Sequence, residues 1–143
     1  MNKRAKFLRF GMVAMLTLFL AACGGSGSSD SGGTTFASAA GVWTGPASFD
    51  GGVTYNVRLT LTQSGNTIGG SYLNLDSGFS ADITGSRSTN TLNINLTNHS
   101  ASGTHAYSMS LTMMSNKTMS GSTTSVVIAT GTSVEGTANL IKP

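Results

Sequence analysis

The sequence predicts an all-β domain, a small up-and-down antiparallel β-barrel of about eight strands, preceded by a cleaved signal peptide and a flexible tether. From residue 39 onward, apolar and polar side chains alternate with a period of two, and turn residues recur every eight to twelve positions. No segment of helical length repeats apolar side chains with a helical period, and Gly, Thr, Ser and Asn are too frequent to favour helices.

The N-terminal segment 1–22 is typical of an export signal. Basic residues within the first nine positions precede an uncharged, largely apolar run from residue 10 to 22. As a helix, that run would be roughly 20 Å long, which is shorter than the roughly 30 Å hydrocarbon core of a bilayer. We therefore expect a cleaved signal peptide and not a permanent membrane span.

Residues 20–23 have the sequence Leu-Ala-Ala-Cys, which resembles the lipobox of bacterial lipoproteins. The resemblance implies that Cys23 becomes the lipid-modified first residue of the mature chain, whose partner is then the membrane. Several lipid chains on one residue give the firm anchoring that a single acyl chain cannot. The expected location is the cell envelope, and Gly24 in place of aspartate favours the outer membrane if the cell is Gram-negative. The alternative is an ordinary signal peptide followed by a chance cysteine.

Residues 23–38 form the predicted tether and residues 39–143 the predicted barrel domain. The tether from Gly24 to Thr35 offers no large apolar side chain to bury, and its random-coil reach is roughly 20 Å. Beyond residue 22, four basic and five acidic side chains are scattered singly, for a formal charge of −1. This distribution argues against nucleic-acid binding, which needs clustered lysine and arginine. An intramolecular disulfide is excluded, because Cys23 is the only cysteine.

The clearest predicted strand covers residues 53–61, where Tyr55, Val57 and Leu59 lie on one face and polar residues on the other. A hairpin turn is predicted at 64–67, since Gly65 supplies the positive φ of a tight loop. A second turn is predicted at Gly85–Ser88. The predicted strands are 41–49, 53–61, 68–72, 79–83, 92–96, 107–113, 118–124 and 134–141, with 126–129 as a candidate ninth piece.

Eight antiparallel strands with short connections form either a closed barrel or a sandwich. We favour the barrel, because closure removes the exposed strand edges that such an uncharged sheet would otherwise present. The segment Gly41-Val42-Trp43 is similar to the Gly-x-Trp motif that opens lipocalins, and the body resembles calycin-type barrels, the lipocalins and avidins. The resemblance implies that Trp43 closes one end of the barrel and that a basic residue, here Lys142, lies over its ring.

Enzymatic chemistry is not expected. His99 and His105 lie in one predicted loop, and the sequence has no nucleophile elbow to accompany them. Methionines between residues 109 and 119 raise the question of a Cu(I) site. Met109 and Met113 would, however, lie about 13 Å apart along one strand. Core packing is the favoured role of the methionines, and neither a metal nor a cofactor is expected.

A ligand-binding hypothesis rests on six aromatic side chains, namely Trp43, Phe49, Tyr55, Tyr72, Phe79 and Tyr107. We expect any small apolar or amphipathic ligand to contact Trp43, Tyr55, Tyr72 and Tyr107. The leading hypothesis is a non-catalytic binding module of the cell envelope. The alternative is a structural or interaction protein whose rings fill the interior and whose surface meets another envelope protein. The number of large inward-facing side chains favours a filled barrel with, at most, a shallow pocket at one mouth.

Overall fold

A computed structural model of the chain describes residues 36–49 and 52–143. The predicted signal peptide 1–22, the lipidation site Cys23 and most of the predicted tether lie outside the described residues. The described residues form antiparallel β-strands, which confirms the all-β prediction. No helix among them is long and apolar enough to cross a bilayer.

The strands form one sheet that closes on itself. Each strand pairs with the next one in sequence, and the last pairs with the first, so the described residues build the predicted closed barrel. The strands are β1 Gly41–Ser48, β2 Thr54–Ser64, β3 Thr67–Asn74, β4 Ser80–Ser88, β5 Thr91–Thr97, β6 His105–Met113, β7 Thr118–Val127 and β8 Thr132–Ile141.

Alternating burial along β2 shows how the sequence specifies the barrel wall. Val57, Leu59 and Leu61 are buried, whereas Arg58 and Thr60 are exposed. Successive side chains of a strand point to opposite faces, so this pattern places one row inside the barrel and one in solvent. The hairpin that follows is as predicted, because Gly65 adopts a φ of 56° in the turn between β2 and β3.

The predicted turn at Gly85–Ser88 is wrong. These residues are the end of β4, where Gly85 pairs with Ile94 and Arg87 pairs with Leu92. The turn lies instead at residues 89–90, between β4 and β5. Polar residues and a glycine suggested a turn, but the inward alternation from Ile83 continues through Arg87. The candidate ninth strand at 126–129 is also absent, since β7 extends through residue 127 and a turn follows it.

The barrel closes through a short seam between β1 and β8. Its register pairs are Thr44 with Ile141 and Ala47 with Ala138. Between them Gly45 has a φ of 158°, and a Cβ atom there would lie 2.1 Å from a backbone oxygen of β8. Only glycine allows the two strands to approach so closely at this point.

The interior is filled by apolar side chains. Val57, Leu59 and Leu111 are fully buried, and Met113 pairs with Met119 across the β6–β7 hairpin inside the same core. We call the end of the barrel where β1, β3, β5 and β7 begin the closed end. The opposite end, where β2, β4, β6 and β8 begin, is the open end.

Candidate functional site

Trp43 lies at the closed end and is fully buried. Its indole Nε1 donates a 2.8 Å hydrogen bond to the carbonyl oxygen of Ala39. The ammonium of Lys142 lies 5.5 Å from the centre of the ring and also donates to the Ala40 carbonyl. The expected pairing of this tryptophan with a basic residue from the end of the chain is therefore confirmed.

Arg87 is the second residue that closes this end of the barrel. The sequence predicted a turn at Arg87 and did not predict this role. Its buried guanidinium donates to the carbonyl oxygens of Phe36, Ala37 and Thr89, over 2.8 to 3.1 Å. It also donates to Gln63 Oε1, and the same oxygen accepts the backbone N–H of Ala39. The guanidinium thus fastens the start of the domain across the closed end. Continued alternation along β4 was the signal that could have revealed it.

The open end carries a cluster of aromatic rings in edge-to-face contact. Phe49 packs against Tyr107 at 5.5 Å and against Tyr72 at 6.0 Å, both nearly perpendicular. Phe79 contacts Tyr72 and Tyr107 in the same way, at 6.0 and 5.7 Å. Such geometry matches the positive edge of one ring to the negative face of another and gives a rigid wall.

A pocket of about 280 Å³ opens within this cluster. The structure brings together Tyr55, Tyr72 and Tyr107, which are all the tyrosines in the sequence. Trp43 does not join them, because it lies at the opposite end of the barrel. The pocket is lined by aromatic and small polar side chains, namely Phe49, Tyr55, Tyr72, Asn74, Ser77, Phe79, Leu96, His105, Tyr107 and Ser125.

Tyr72 is the most deeply buried of the three tyrosines, with 2 % of its surface exposed. Burial raises the pKa of its phenol well above the usual range, and the neighbouring hydroxyls of Tyr107 and Tyr55 raise it further. A phenolate here would be poorly solvated and would lie beside two other phenols. Tyr72 therefore stays neutral and retains its O–H as a hydrogen-bond donor.

Asn74 adds a second donor to the pocket wall. Its Oδ1 accepts the backbone N–H groups of Asp76 and Ser77, each at 3.0 Å, which fixes the orientation of the amide. The Nδ2 group is consequently turned away from that loop. Ser125, buried on β7 opposite Tyr107, brings a hydroxyl to the same pocket.

The two histidines lie beside these rings in different settings. His105 stacks on Tyr107 with ring centres 6.0 Å apart and planes 13° apart, and its Nδ1 contacts the Thr104 hydroxyl at 3.1 Å. His99 is buried against Phe79 and Tyr107, and its Nδ1 has no hydrogen-bond partner. A buried polar atom without a partner destabilises the fold by about 1 to 3 kcal/mol.

Among the described residues, the lining of the site includes no lysine, arginine, aspartate or glutamate. The nearby carboxylate of Asp76 accepts the backbone N–H of Asn56. Among the described residues, no group of three or more His, Cys, Asp and Glu side chains lies in position to hold a metal ion. The arrangement suits the binding of a small molecule by ring packing and neutral hydrogen bonds.

A second depression, on the outer wall across β2 to β4, is polar. It is lined by Arg58, Asp82 and Asn98 among others, and the Asn98 amide donates to Asp82 at 2.7 Å. Its charged side chains, Arg58 and Asp82, are exposed, and Tyr72 is the single aromatic residue in its described lining. The open-end pocket is therefore the better candidate for a binding site.

No protein-family model and no curated protein matches the chain.

Proposed function

We propose that this protein is a lipid-anchored protein of the cell envelope whose barrel binds a small apolar or amphipathic molecule at its open end without transforming it. The observation that carries the proposal is the aromatic pocket of about 280 Å³ formed by Tyr55, Tyr72, Tyr107 and their neighbours. Ligand pockets of proteins are commonly concave and mostly apolar, with a few polar groups that orient the ligand.

The contrast between lumen and mouth supports binding at the mouth alone. Within the described barrel, the lumen is occupied by fully buried apolar side chains such as Leu59 and Leu111. Eight-stranded barrels are just wide enough for such filling. The interior is thus the rigid support for the pocket, in keeping with the calycin-like body that the sequence resembles.

The anchor belongs to the same proposal through the Leu-Ala-Ala-Cys segment that ends at Cys23. The described chain begins at Phe36, whose carbonyl oxygen is held by Arg87 at the closed end. A tether from Cys23 therefore joins the barrel at the end opposite the pocket.

A second candidate function is supported by the apolar rim of the open end. Val53, Leu75 and Ile128, each about half exposed, lie in loops at this end of the barrel. An exposed apolar surface of this kind is also typical of protein–protein contacts. In that case the barrel is an interaction module and the pocket receives a side chain of a partner protein.

Native mass spectrometry tests the binding proposal. The chain is extracted gently from membranes, or exposed to an organic extract of the envelope, and we expect a complex with a small molecule. Ser125→Leu, which places a larger side chain in the pocket, should abolish the complex, whereas Ser122→Leu on the outer face of β7 should not. A bare chain under both conditions, together with a co-purified protein lost in the Ser125 variant, would support the second candidate.

Labelled palmitate tests the anchor. We expect the wild-type chain to incorporate the label and to fractionate with membranes, and we expect Cys23→Ser to lose both properties. A wild-type chain without label, with a Cys23→Ser variant that still fractionates with membranes, would contradict lipidation.

A further inference from the structure

We propose that the open-end pocket selects compact, uncharged, planar ring molecules that carry a carbonyl oxygen, and that it rejects long acyl chains and anions. This inference rests on the proposed binding function and specifies its ligand class. It follows from the depth of the pocket, the packing of its walls and the chemistry of its polar groups.

The depth of the pocket excludes long chains. Leu96 lines the bottom of the pocket, and beneath it the described barrel is filled by Ile94, Met109 and Leu111. An extended acyl chain would need a channel along the barrel axis, which these buried side chains occupy. A ligand of the size of a fused two-ring system is a better match to a pocket of about 280 Å³.

The walls of the pocket favour a flat ring. Phe49, Tyr72, Phe79 and Tyr107 are already held in edge-to-face contact with one another. A planar ligand extends this packing by offering a further face or edge, without disturbing the existing contacts.

The polar groups of the pocket favour an acceptor on the ligand. Tyr72 keeps its proton, and Asn74 has committed its Oδ1 to the loop and retains its Nδ2 hydrogens. The Ser77 hydroxyl already accepts the backbone N–H of Phe79 at 3.3 Å, so its own hydrogen is also available to a ligand. A carbonyl oxygen has two lone pairs and no hydrogen, so it can accept the hydrogens that Tyr72, Asn74 and Ser77 offer.

The described residues of the lining include no lysine or arginine, and this separates a carbonyl ligand from a carboxylate. A carboxylate placed among these side chains would lose its hydration without gaining a lysine or arginine partner. A neutral ketone or quinone-like oxygen loses much less hydration and makes the same hydrogen bonds. The pocket should therefore discriminate between two ligands that differ only in this group.

Three matched naphthalene probes test the inference. Acedan carries an acetyl group and a dimethylamino group, its carboxylate analogue replaces the acetyl group with an anion, and dimethylaminonaphthalene lacks the acetyl group. The acyl-chain probe is cis-parinaric acid. The experiment uses the chain from Gly24 onward, since all eight strands of the closed barrel lie between residues 41 and 141.

We expect acedan to bind with a blue shift of its emission. Both naphthalene analogues should bind about tenfold more weakly or worse, since tenfold corresponds to one lost hydrogen bond. Parinaric acid should not compete with acedan. Tyr72→Phe should weaken acedan severalfold and leave dimethylaminonaphthalene unchanged, which shows that the hydroxyl acts on the carbonyl oxygen. Ser125→Leu should abolish binding, and Ser122→Leu should preserve it.

Two results would overturn the inference in different ways. If parinaric acid or the carboxylate analogue binds as tightly as acedan, and Ser125→Leu blocks it, the pocket binds ligands but the proposed ligand class is wrong. If no probe binds the wild-type chain, the ligand class and the proposed binding function both fail.

Discussion

The two ends of this barrel are built from the same strands and differ in how their polar groups are satisfied. At the closed end, Trp43 and Arg87 each donate to backbone carbonyl oxygens, and Lys142 covers the indole ring. At the open end, Tyr72 and Asn74 face a pocket, and the Nδ1 atom of His99 has no partner. The closed end is thus built for stability, and the unsatisfied polar groups of the open end support the proposal that it serves recognition.

The largest expected effect is the loss of the closed-end tryptophan. Trp43→Ala removes a fully buried indole, so we expect the free energy of unfolding to fall by about 3 to 5 kcal/mol. Phe79→Ala at the open end truncates a partly exposed ring and should lower it by about 1 to 2 kcal/mol. Denaturant unfolding measures both. Equal losses at the two ends would contradict the division of roles.

Arg87 provides the next test, with Arg58 as its matched control. Arg87→Met leaves the carbonyl oxygens of Phe36 and Ala37 without their donor, so we expect a loss of about 2 to 3 kcal/mol. Arg58→Met on the exposed face of β2 should change stability by less than about 0.5 kcal/mol. Hydrogen exchange at the Ala39 amide should also accelerate in the Arg87 variant alone. A stability loss below about 0.5 kcal/mol would show that this guanidinium does not fasten the closed end.

At the open end, removing the imidazole of His99 should lower the free energy of unfolding little or not at all. His99→Phe replaces an imidazole whose Nδ1 is buried without a partner by an apolar ring of similar shape. Because a lost hydrogen bond is not involved, we expect the free energy of unfolding to be unchanged or to rise by up to about 1 kcal/mol. Thermal and denaturant unfolding would show this. A loss greater than about 2 kcal/mol would indicate that the imidazole makes a stabilising hydrogen bond.

The smallest expected effect is a loss of folding stability at alkaline pH that is caused by Tyr72. Its pKa is raised in the folded state, so the unfolded chain releases this proton first as the pH rises past the ordinary tyrosine value of about 10. The contribution to stability is complete below that pH and is lost progressively above it. Ultraviolet absorbance of tyrosinate should show one late-ionising group, absent in Tyr72→Phe. A titration unchanged by this substitution would contradict the buried environment.

Much of the barrel could be predicted because it depends on local alternation. The inward row of β2 from Tyr55 to Leu61 follows from a two-residue period. The turn at Gly65 follows from a glycine at a positive φ, and the role of Trp43 follows from the Gly-x-Trp motif. The same alternation continues along β4 to Arg87. The glycine, the two serines and the charged side chain at Gly85–Ser88 nevertheless led to the prediction of a turn. A buried arginine is favourable here only because distant carbonyl oxygens from residues 36 and 37 meet it.

The composition of the pocket was predictable only in part. Tyr55, Tyr72 and Tyr107 share the inward parity of their strands, but their height along the barrel axis depends on register. That register brings the three tyrosines together and leaves Trp43 at the other end. The aromatic character of the site was therefore visible in the sequence. The buried Nδ1 atom of His99 could not be predicted, since its lack of a hydrogen-bond partner depends on the packing of a loop.

One measurement tests the division of roles most directly. The three tyrosines all lie at the open end and the single tryptophan at the closed end, so selective labelling of tyrosine rings and the indole nitrogen gives each end its own NMR signals. On titration with acedan or envelope extract, we expect the tyrosine signals to shift and saturate while the Trp43 signal stays in place. Saturable shifts of Trp43 with unchanged tyrosine signals would contradict the account.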